Sequence, residues 1–309
     1  MIEIPESFIR GTVDREGGRG ACWLETLPAL AADLLERWEC VLDGPVTHGG
    51  VGLIVPARQF GGNQRAAVLK VSFPHPGNVA EPDAFEAWEG RGAVRLYARA
   101  DEHFAMLLER ARDATLAEES DNDEVARIAG ELHRRLTIPA PPGLPRLSDR
   151  AEEWEESLLR DAEELPHGLP RRSVDSAVAT VRELGREQPE IVVHGDFHAR
   201  NILRADREPW LAVDPKGYVG DPAYDGGTLL GARARELVRE DDFAKAALRM
   251  LDVFAEAAEL ESARVRRWAG YRAVEAAFWG HRHGLRAARS GARRDRFVDL
   301  VGRLASILA

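Results

Sequence analysis

The apolar positions along the chain keep two different periods. Leu27, Leu30, Ala31, Leu34, Leu35 and Trp38 recur at helical spacing, which predicts a packing helix over Thr26–Trp38 with Thr26 as N-cap and Pro28 in its first turn. From Glu39 the period shortens. Glu39–Leu42, Val51–Ala57 (VGLIVPA) and Arg65–Phe73 (RAAVLKVSF) read as strands, and Arg91–Ala98 with Phe104–Leu108 as a further hairpin. Helical spacing returns at Asn122–Leu136, where Val125, Ile128, Ala129, Leu132 and Leu136 share a face. It continues through Ala151–Leu165, Ser173–Leu184, Asp241–Leu260, Ser262 to about His281 and Arg294–Leu308. The proline-rich segment IPAPPGLPRL interrupts the helices and predicts an extended surface strap.

One stretch follows neither period for long: Ile191–Asp225, IVVHGDFHARNILRADREPWLAVDPKGYVGDPAYD. Ile191, Val192 and Val193 predict a short buried strand that ends in His194, Gly195 and Asp196. Asn201 stands five residues beyond Asp196, and a second apolar strand, Trp210–Val213, delivers Asp214. An acid, an amide and an acid at neighbouring strand ends suit a metal-assisted phosphoryl transfer. One carboxylate accepts the proton of an attacking hydroxyl, while the amide and the other carboxylate hold Mg²⁺. The H-x-D-x-x-x-x-N spacing matches the catalytic loop of the kinase signature set. His194 and His198 could instead form a metal pair, but they lie on strand and loop and have neither a third ligand nor a cysteine pair, which argues against zinc.

Two segments in the strand-rich part are candidates for holding phosphate. The hairpin DGPVTHGG, with Gly49 and Gly50, either folds over nucleotide phosphates or is a plain turn, as the neighbouring Gly61-Gly62-Asn63 is expected to be. Lys70 lies mid-strand among Val68, Leu69, Val71 and Phe73, and only three residues of the chain are lysine: Lys70, Lys216 and Lys245. In the kinase layout a lysine on this strand pairs with the nucleotide phosphates and with a glutamate on the next helix. That helix is predicted from Asn78 to about Glu89, stopped by Gly90.

Composition narrows the partners. The chain has 309 residues, enough for two lobes with their own cores, and a net charge of −10 with no basic run that would track a nucleic-acid backbone. No apolar run is long enough to cross a membrane, and the N-terminal residues lack a signal-peptide layout. Two cysteines, Cys22 and Cys40, are too few for a disulfide framework, so the expected location is the cytoplasm, where ATP is available.

HGDFHARNIL followed by EPWLAVDPKGYVGDPAYD resembles the aminoglycoside phosphotransferases, and within them the streptomycin 6-phosphotransferase and hydroxyurea phosphotransferase branch. The likeness runs from about Trp38 to the last helix and is dense only in these motifs. It implies an α+β, protein-kinase-like bilobal fold, with a small antiparallel-sheet lobe over residues 1 to about 110 and a larger helical lobe over 111–309. It implies ATP and Mg²⁺ as cofactors, Asp196 as catalytic base, and Asn201 and Asp214 as metal ligands. Lys70 and Glu81 then form the phosphate-orienting ion pair, with Asp83 and Glu86 as other partners, while Asn78 and Glu81 also stand at capping-box spacing. Leu107–Arg110 is the expected segment beside the adenine. Pro215 and Lys216 follow Asp214 where protein kinases have Phe-Gly, so no activation-loop switch is implied.

The GDP-x-x-D motif places Asp221 as a brace of the catalytic loop and Asp225 at a helix start, where the dipole favours a carboxylate. The acidic helix Ala151–Leu165 is either a solvated face or, with Glu259, Glu261 and Glu275, a wall for a cationic acceptor. The expected reaction is γ-phosphate transfer from ATP to a hydroxyl of a small molecule such as streptomycin or hydroxyurea. A kinase for a sugar or amino alcohol and a nucleotide-binding pseudokinase are the alternatives. The sequence leaves the oligomeric state open.

Overall fold

A computed structural model describes residues 2–60, 64–165, 168–284 and 292–309, the side chains of 283–284 and 292–297 excepted. The chain divides into two compact units, Met1–Arg112 and Asp113–Ala309.

The first unit begins with two helices, α1 (Glu6–Glu16) and α2 (Gly18–Arg37), joined at Gly17. The helix expected to start at Thr26 therefore starts at Gly18. Thr26 is interior and its hydroxyl donates to the Trp23 carbonyl at 2.9 Å, so it caps nothing. Gly20 lets the two helices meet, because a Cβ there would lie 2.9 Å from the Thr12 carbonyl oxygen. The strands follow: β1 (Cys40–Leu42), β2 (Thr47–His48), β3 (Gly52–Gln59) and β4 (Arg65–Ser72). Helix α3 (Glu81–Trp88) then precedes β5 (Leu96–Ala100) and β6 (Ala105–Glu109). The sheet is antiparallel in the order β1-β3-β4-β6-β5, with β2 beside β3. The expected strand Arg91–Ala98 becomes continuous only from Leu96, where a register shift enters the β5–β6 ladder, although the Arg95 carbonyl already accepts the Glu109 N–H at 2.8 Å. The Gly61-Gly62-Asn63 turn lies outside the described residues.

Strand alternation decides what this sheet can present. Leu53, Val55, Leu69, Val71 and Leu107 pack with Leu27, Ala31 and Leu34 of α2 in one core. Lys70, between Leu69 and Val71, must therefore project from the opposite face.

The second unit opens with α4 (Asn122–Leu136), whose N-cap Asp121 accepts the N–H groups of Asp123 and Glu124. Next come α5 (Ala151–Glu164) and α6 (Arg171–Thr180), the latter prolonged by a wider turn to Gly185. Four short strands follow: β7 (Val192–Val193), β8 (Ile202–Arg204), β9 (Trp210–Ala212) and β10 (Tyr218–Val219). They form two antiparallel pairs, β7–β10 and β8–β9. The proline-rich strap is not a free surface segment. Ile138 accepts from Val192 N–H at 2.9 Å and Pro145 from Val219 N–H at 2.8 Å, so it binds both strands of the first pair. Helices α7 (Asp225–Leu237), α8 (Phe243–Ala258), α9 (Ser262–Gly284) and α10 (Ala292–Ile307) complete the unit.

Trp268, Tyr271 and Phe278 are buried in its core, and Trp279 is exposed. Several of the acids proposed as a cationic wall are paired with arginines. Glu155 binds Arg182 and Arg186, Asp161 and Glu164 bind Arg282, Glu259 binds Arg134, and Glu275 binds Arg272, while Glu261 faces solvent. Among the described residues no helix is long and apolar enough to cross a membrane.

Candidate active site

The loop after β7 is tied down at each turn. Gly195 has φ +81°, and a Cβ there would lie 2.7 Å from the Tyr218 ring, so both conformation and space require glycine. The His194 ring is fully enclosed: Nε2 lies 3.0 Å from the Val213 carbonyl and Nδ1 3.3 Å from the Asp196 N–H. Those partners assign the proton to Nε2 and leave Nδ1 as acceptor. Burial lowers the His194 pKa, which keeps the ring neutral despite the nearby Asp225 and Asp196. His194 is thus a crossbar between the loop and β9, not half of a zinc pair with His198. Among the described residues no group of three or more histidine, cysteine, aspartate or glutamate side chains could hold a metal ion.

Asn201 Nδ2 donates to the Asp196 carbonyl at 3.0 Å, which fixes the amide and leaves Oδ1 for a cation. The Asn201 carbonyl in turn accepts the Val213 N–H at 2.9 Å, placing Asn201 next to the strand end that carries Asp214. Asp214 has φ +60°, a left-handed conformation uncommon for a residue other than glycine and frequent at functional turns. The Lys216 N–H then returns to the His194 carbonyl at 2.7 Å, closing the connection. Asp196, Asn201 and Asp214 therefore belong to one hydrogen-bonded loop pair. One carboxylate and one amide oxygen suit a hard divalent ion that takes its other ligands from water and phosphate.

The brace beneath this loop is not the residue expected. Asp221 accepts the Ala223 N–H at 3.0 Å, Arg264 Nε at 2.5 Å and Trp268 Nε1 at 2.6 Å, which fastens its own turn to α9. Asp225, fully buried, instead accepts the His194 and Gly195 N–H groups at 3.0 and 2.8 Å. His133 Nε2 of α4 stands 3.3 Å from the same carboxylate. In sequence Asp225 reads as a helix-start aspartate; its position one helical turn before Thr228, which donates to the Phe197 carbonyl at 3.0 Å, is a signal only once the loop is known.

In the first unit Lys70 Nζ donates to Glu81 Oε1 at 2.5 Å, with both side chains buried. Asn78 does not cap α3. It ends a short turn of its own, and the α3 N-cap is Ala80, so the alternative capping box is absent and Glu81 makes the expected ion pair with the lysine. Asp83 and Glu86 are held by Arg99 at 2.7 and 3.1 Å. Gly49 and Gly50 form the β2–β3 turn, where Gly49 N–H donates to Gly52 at 2.9 Å and the Gly50 carbonyl accepts from Arg15 at 3.0 Å. Neither has positive φ, and a Cβ on Gly50 would meet nothing within 4 Å, so the turn's backbone is open to approach. Its support comes from α1, which the periodicity did not reveal: His48 lies 2.8 Å from Ser7 Oγ and packs on Phe8 with ring centroids 5.2 Å apart.

Residues 37–284 match the family described as aminoglycoside/hydroxyurea antibiotic resistance kinase. The chain is 34% identical to the streptomycin 6-kinase of Streptomyces glaucescens over 93% of its own length and 94% of the relative's. It is 32% identical to the hydroxyurea phosphotransferase of Kitasatospora aureofaciens, covering 90% and 80% of the two chains. Among solved structures, a choline kinase from Streptococcus pneumoniae superposes with a TM-score of 0.56 at 11% identity, over 91% of this chain and 99% of that one. At that identity the likeness establishes the fold, an α+β protein-kinase-like one.

Proposed function

This chain belongs to the aminoglycoside/hydroxyurea antibiotic resistance kinase family and is a phosphotransferase, and we propose that it moves the γ-phosphate of ATP to a hydroxyl of a small molecule of the streptomycin or hydroxyurea type. The observation that carries this reading is the joining of Asp196, Asn201 and Asp214 through the Asn201–Asp196 and Val213–Asn201 hydrogen bonds. Asp196 is one-third exposed, accessible enough to receive an acceptor hydroxyl, and its backbone is immobilised by Asn201 and His194.

In the proposed step the acceptor oxygen forms a bond to Pγ as the bond from Pγ to the bridging oxygen breaks. The hydroxyl proton passes to the Asp196 carboxylate, and ADP leaves. Asn201 Oδ1 and the Asp214 carboxylate would hold Mg²⁺, which when bound neutralises the charge of the phosphates. Lys70, oriented by Glu81, would bind phosphate oxygens, and the Gly49-Gly50 turn would offer the Gly50 N–H, since that of Gly49 is held by Gly52. Pre-organisation by hydrogen bonds makes the loop effective, since it need not reorganise as charge develops. The cytoplasm, where ATP is abundant, is the proposed location.

The test is ADP formation and phosphate transfer from radiolabelled ATP to streptomycin and to hydroxyurea, with Mg²⁺ and after chelation. The reading predicts acceptor-dependent transfer that chelation abolishes and Mg²⁺ restores. Tight ATP binding with no transfer to any hydroxyl compound would point instead to a nucleotide-binding regulatory protein.

A further inference from the structure

Helix α1 presents one face to the β2–β3 turn, and both belong to the first unit. Phe8, Thr12 and Arg15 recur at helical spacing, so they share that face, and the first two are buried. Phe8 packs on His48 and belongs to the core that Leu53 and Leu69 share with α2. That puts α1 on the α2 side of the sheet, opposite the face from which Lys70 projects. Two helical turns beyond Phe8, Arg15 Nη1 donates to the Gly50 carbonyl at 3.0 Å, while Glu16 accepts from Arg15 Nε at 2.7 Å and steadies the guanidinium. The neighbouring carbonyl is held as well. His48 Nδ1 donates to the Gly49 carbonyl at 2.9 Å, and Nε2 accepts the Ser7 hydroxyl at 2.8 Å. A trans peptide points its C=O and N–H in opposite directions, so the Gly50 and Val51 N–H groups face away from these donors. Neither N–H makes a hydrogen bond to another described residue. Packing does not hold this turn, since a Cβ on Gly50 would meet nothing within 4 Å.

We propose that α1 fixes the phosphate-binding turn and that Arg15 is its positioning residue: by holding the Gly50 carbonyl, Arg15 aims the Val51 N–H, together with that of Gly50, at the phosphates of the nucleotide. The proposal rests on the phosphotransferase reading, in which this turn receives those phosphates. A turn built on two glycines has wide conformational freedom, and ordering it around a ligand is entropically unfavourable. Arg15 and the Ser7–His48 relay order it in the folded enzyme before ATP arrives, which raises affinity by preorganisation. Successive N–H groups turned the same way bind an anion, so the effect falls on the phosphates and not on the base. The ordering comes from a helix that ends well before residue 37, where the match to the kinase family begins.

The experiment measures kcat and the dissociation constants of ATP and of adenosine, which has the base and ribose but no phosphate, in the wild type, R15A and R15K. R15A is expected to weaken ATP binding by about tenfold, with kcat and the adenosine dissociation constant within about twofold of wild type. R15K, which can still donate to the Gly50 carbonyl, is expected to recover ATP binding to within about threefold of wild type. Unchanged ATP binding in R15A, or adenosine binding that weakens as much as ATP binding, overturns the proposal while leaving the phosphotransferase reading intact. A wild type that binds adenosine but neither binds nor turns over ATP overturns both. Amide hydrogen exchange in the nucleotide-free enzyme supplies a second measurement. The Gly49 N–H, bonded to the Gly52 carbonyl at 2.9 Å, is expected to exchange at least about fivefold faster in R15A. An unchanged rate would show that Arg15 does not hold the turn, which overturns the proposal.

Discussion

Asp225 Oδ1 accepts the backbone N–H of Gly195 at 2.8 Å, one residue before the carboxylate proposed to act as base. A buried side chain at the start of α7 thus sets the path of the loop that carries Asp196. Asp225→Asn keeps the shape but weakens a charge-assisted contact, an effect of about 1.5–3 kcal/mol. The expected result is a lower melting temperature together with a fall in kcat of about 10²-fold, the usual consequence of a small misplacement of a reacting group. ATP titration of the purified variant should give a near-normal dissociation constant; a variant that loses ATP binding and keeps kcat would contradict this assignment.

Lys70 and Glu81 form a buried pair, so removing one partner takes a short buried ionic contact from the other. Lys70→Met should cost about 3–5 kcal/mol of stability, and the double variant with Glu81→Leu should recover much of that. Recovery should not extend to function: both variants should bind ATP weakly, because the phosphate ligand is gone. Urea unfolding and ATP titration on the two proteins separate the effects, and normal ATP affinity in the stable double variant would remove Lys70 from the nucleotide site.

Gly195→Ala should be severe for two independent reasons, its φ of +81° and the 2.7 Å approach to the Tyr218 ring. A left-handed conformation costs a non-glycine residue about 1 kcal/mol or more, and the clash adds to it. Adding Tyr218→Ala should relieve only the clash. Full recovery of activity and melting temperature in that double variant would show that conformation is not the constraint.

Burial lowers the pKa of His194 from the ordinary imidazole value of 6.5, so its ring binds a proton more readily in the unfolded chain than in the native one. Its contribution to stability is therefore complete above pH 6.5 and is lost as the pH falls below that value toward the depressed native pKa. The slope is at most about 1.4 kcal/mol per pH unit for this group. Urea midpoints should fall between about pH 7 and pH 5.5, and less so in His194→Asn, which cannot titrate. Equal pH dependence in the two proteins would deny His194 that role.

The legibility of this chain follows the range of the forces involved. Helix α4 was readable to its ends because its apolar periodicity is local. The Asp196, Asn201 and Asp214 spacing was readable because loop chemistry fixes it. What failed depends on contacts distant in sequence. The start of α2 at Gly18 follows from its crossing with α1, which the apolar pattern after Thr26 does not encode. Glu81 favoured the ion pair but also stood at capping-box spacing; its buried contact with Lys70 bears out the ion pair. Asp221 and Asp225 exchanged roles because both carboxylates lie in one short motif, and only the tertiary positions of Arg264, Trp268 and the His194 loop tell them apart. Arg15 gave no signal at all, being one of many arginines until α1 brings it to the Gly49-Gly50 turn.

The central claim is that Asp196 takes the proton of the acceptor hydroxyl, and the most direct measurement is single-turnover phosphate transfer by Asp196→Asn at saturating ATP, Mg²⁺ and acceptor. The substitution removes the base but not the loop's hydrogen bonds, which Asp196 makes through its backbone. The account predicts a transfer rate lower by about 10²–10⁴-fold, the range for loss of a general base, with ATP affinity and melting temperature near those of the wild type. Transfer at the wild-type rate by that variant would contradict it.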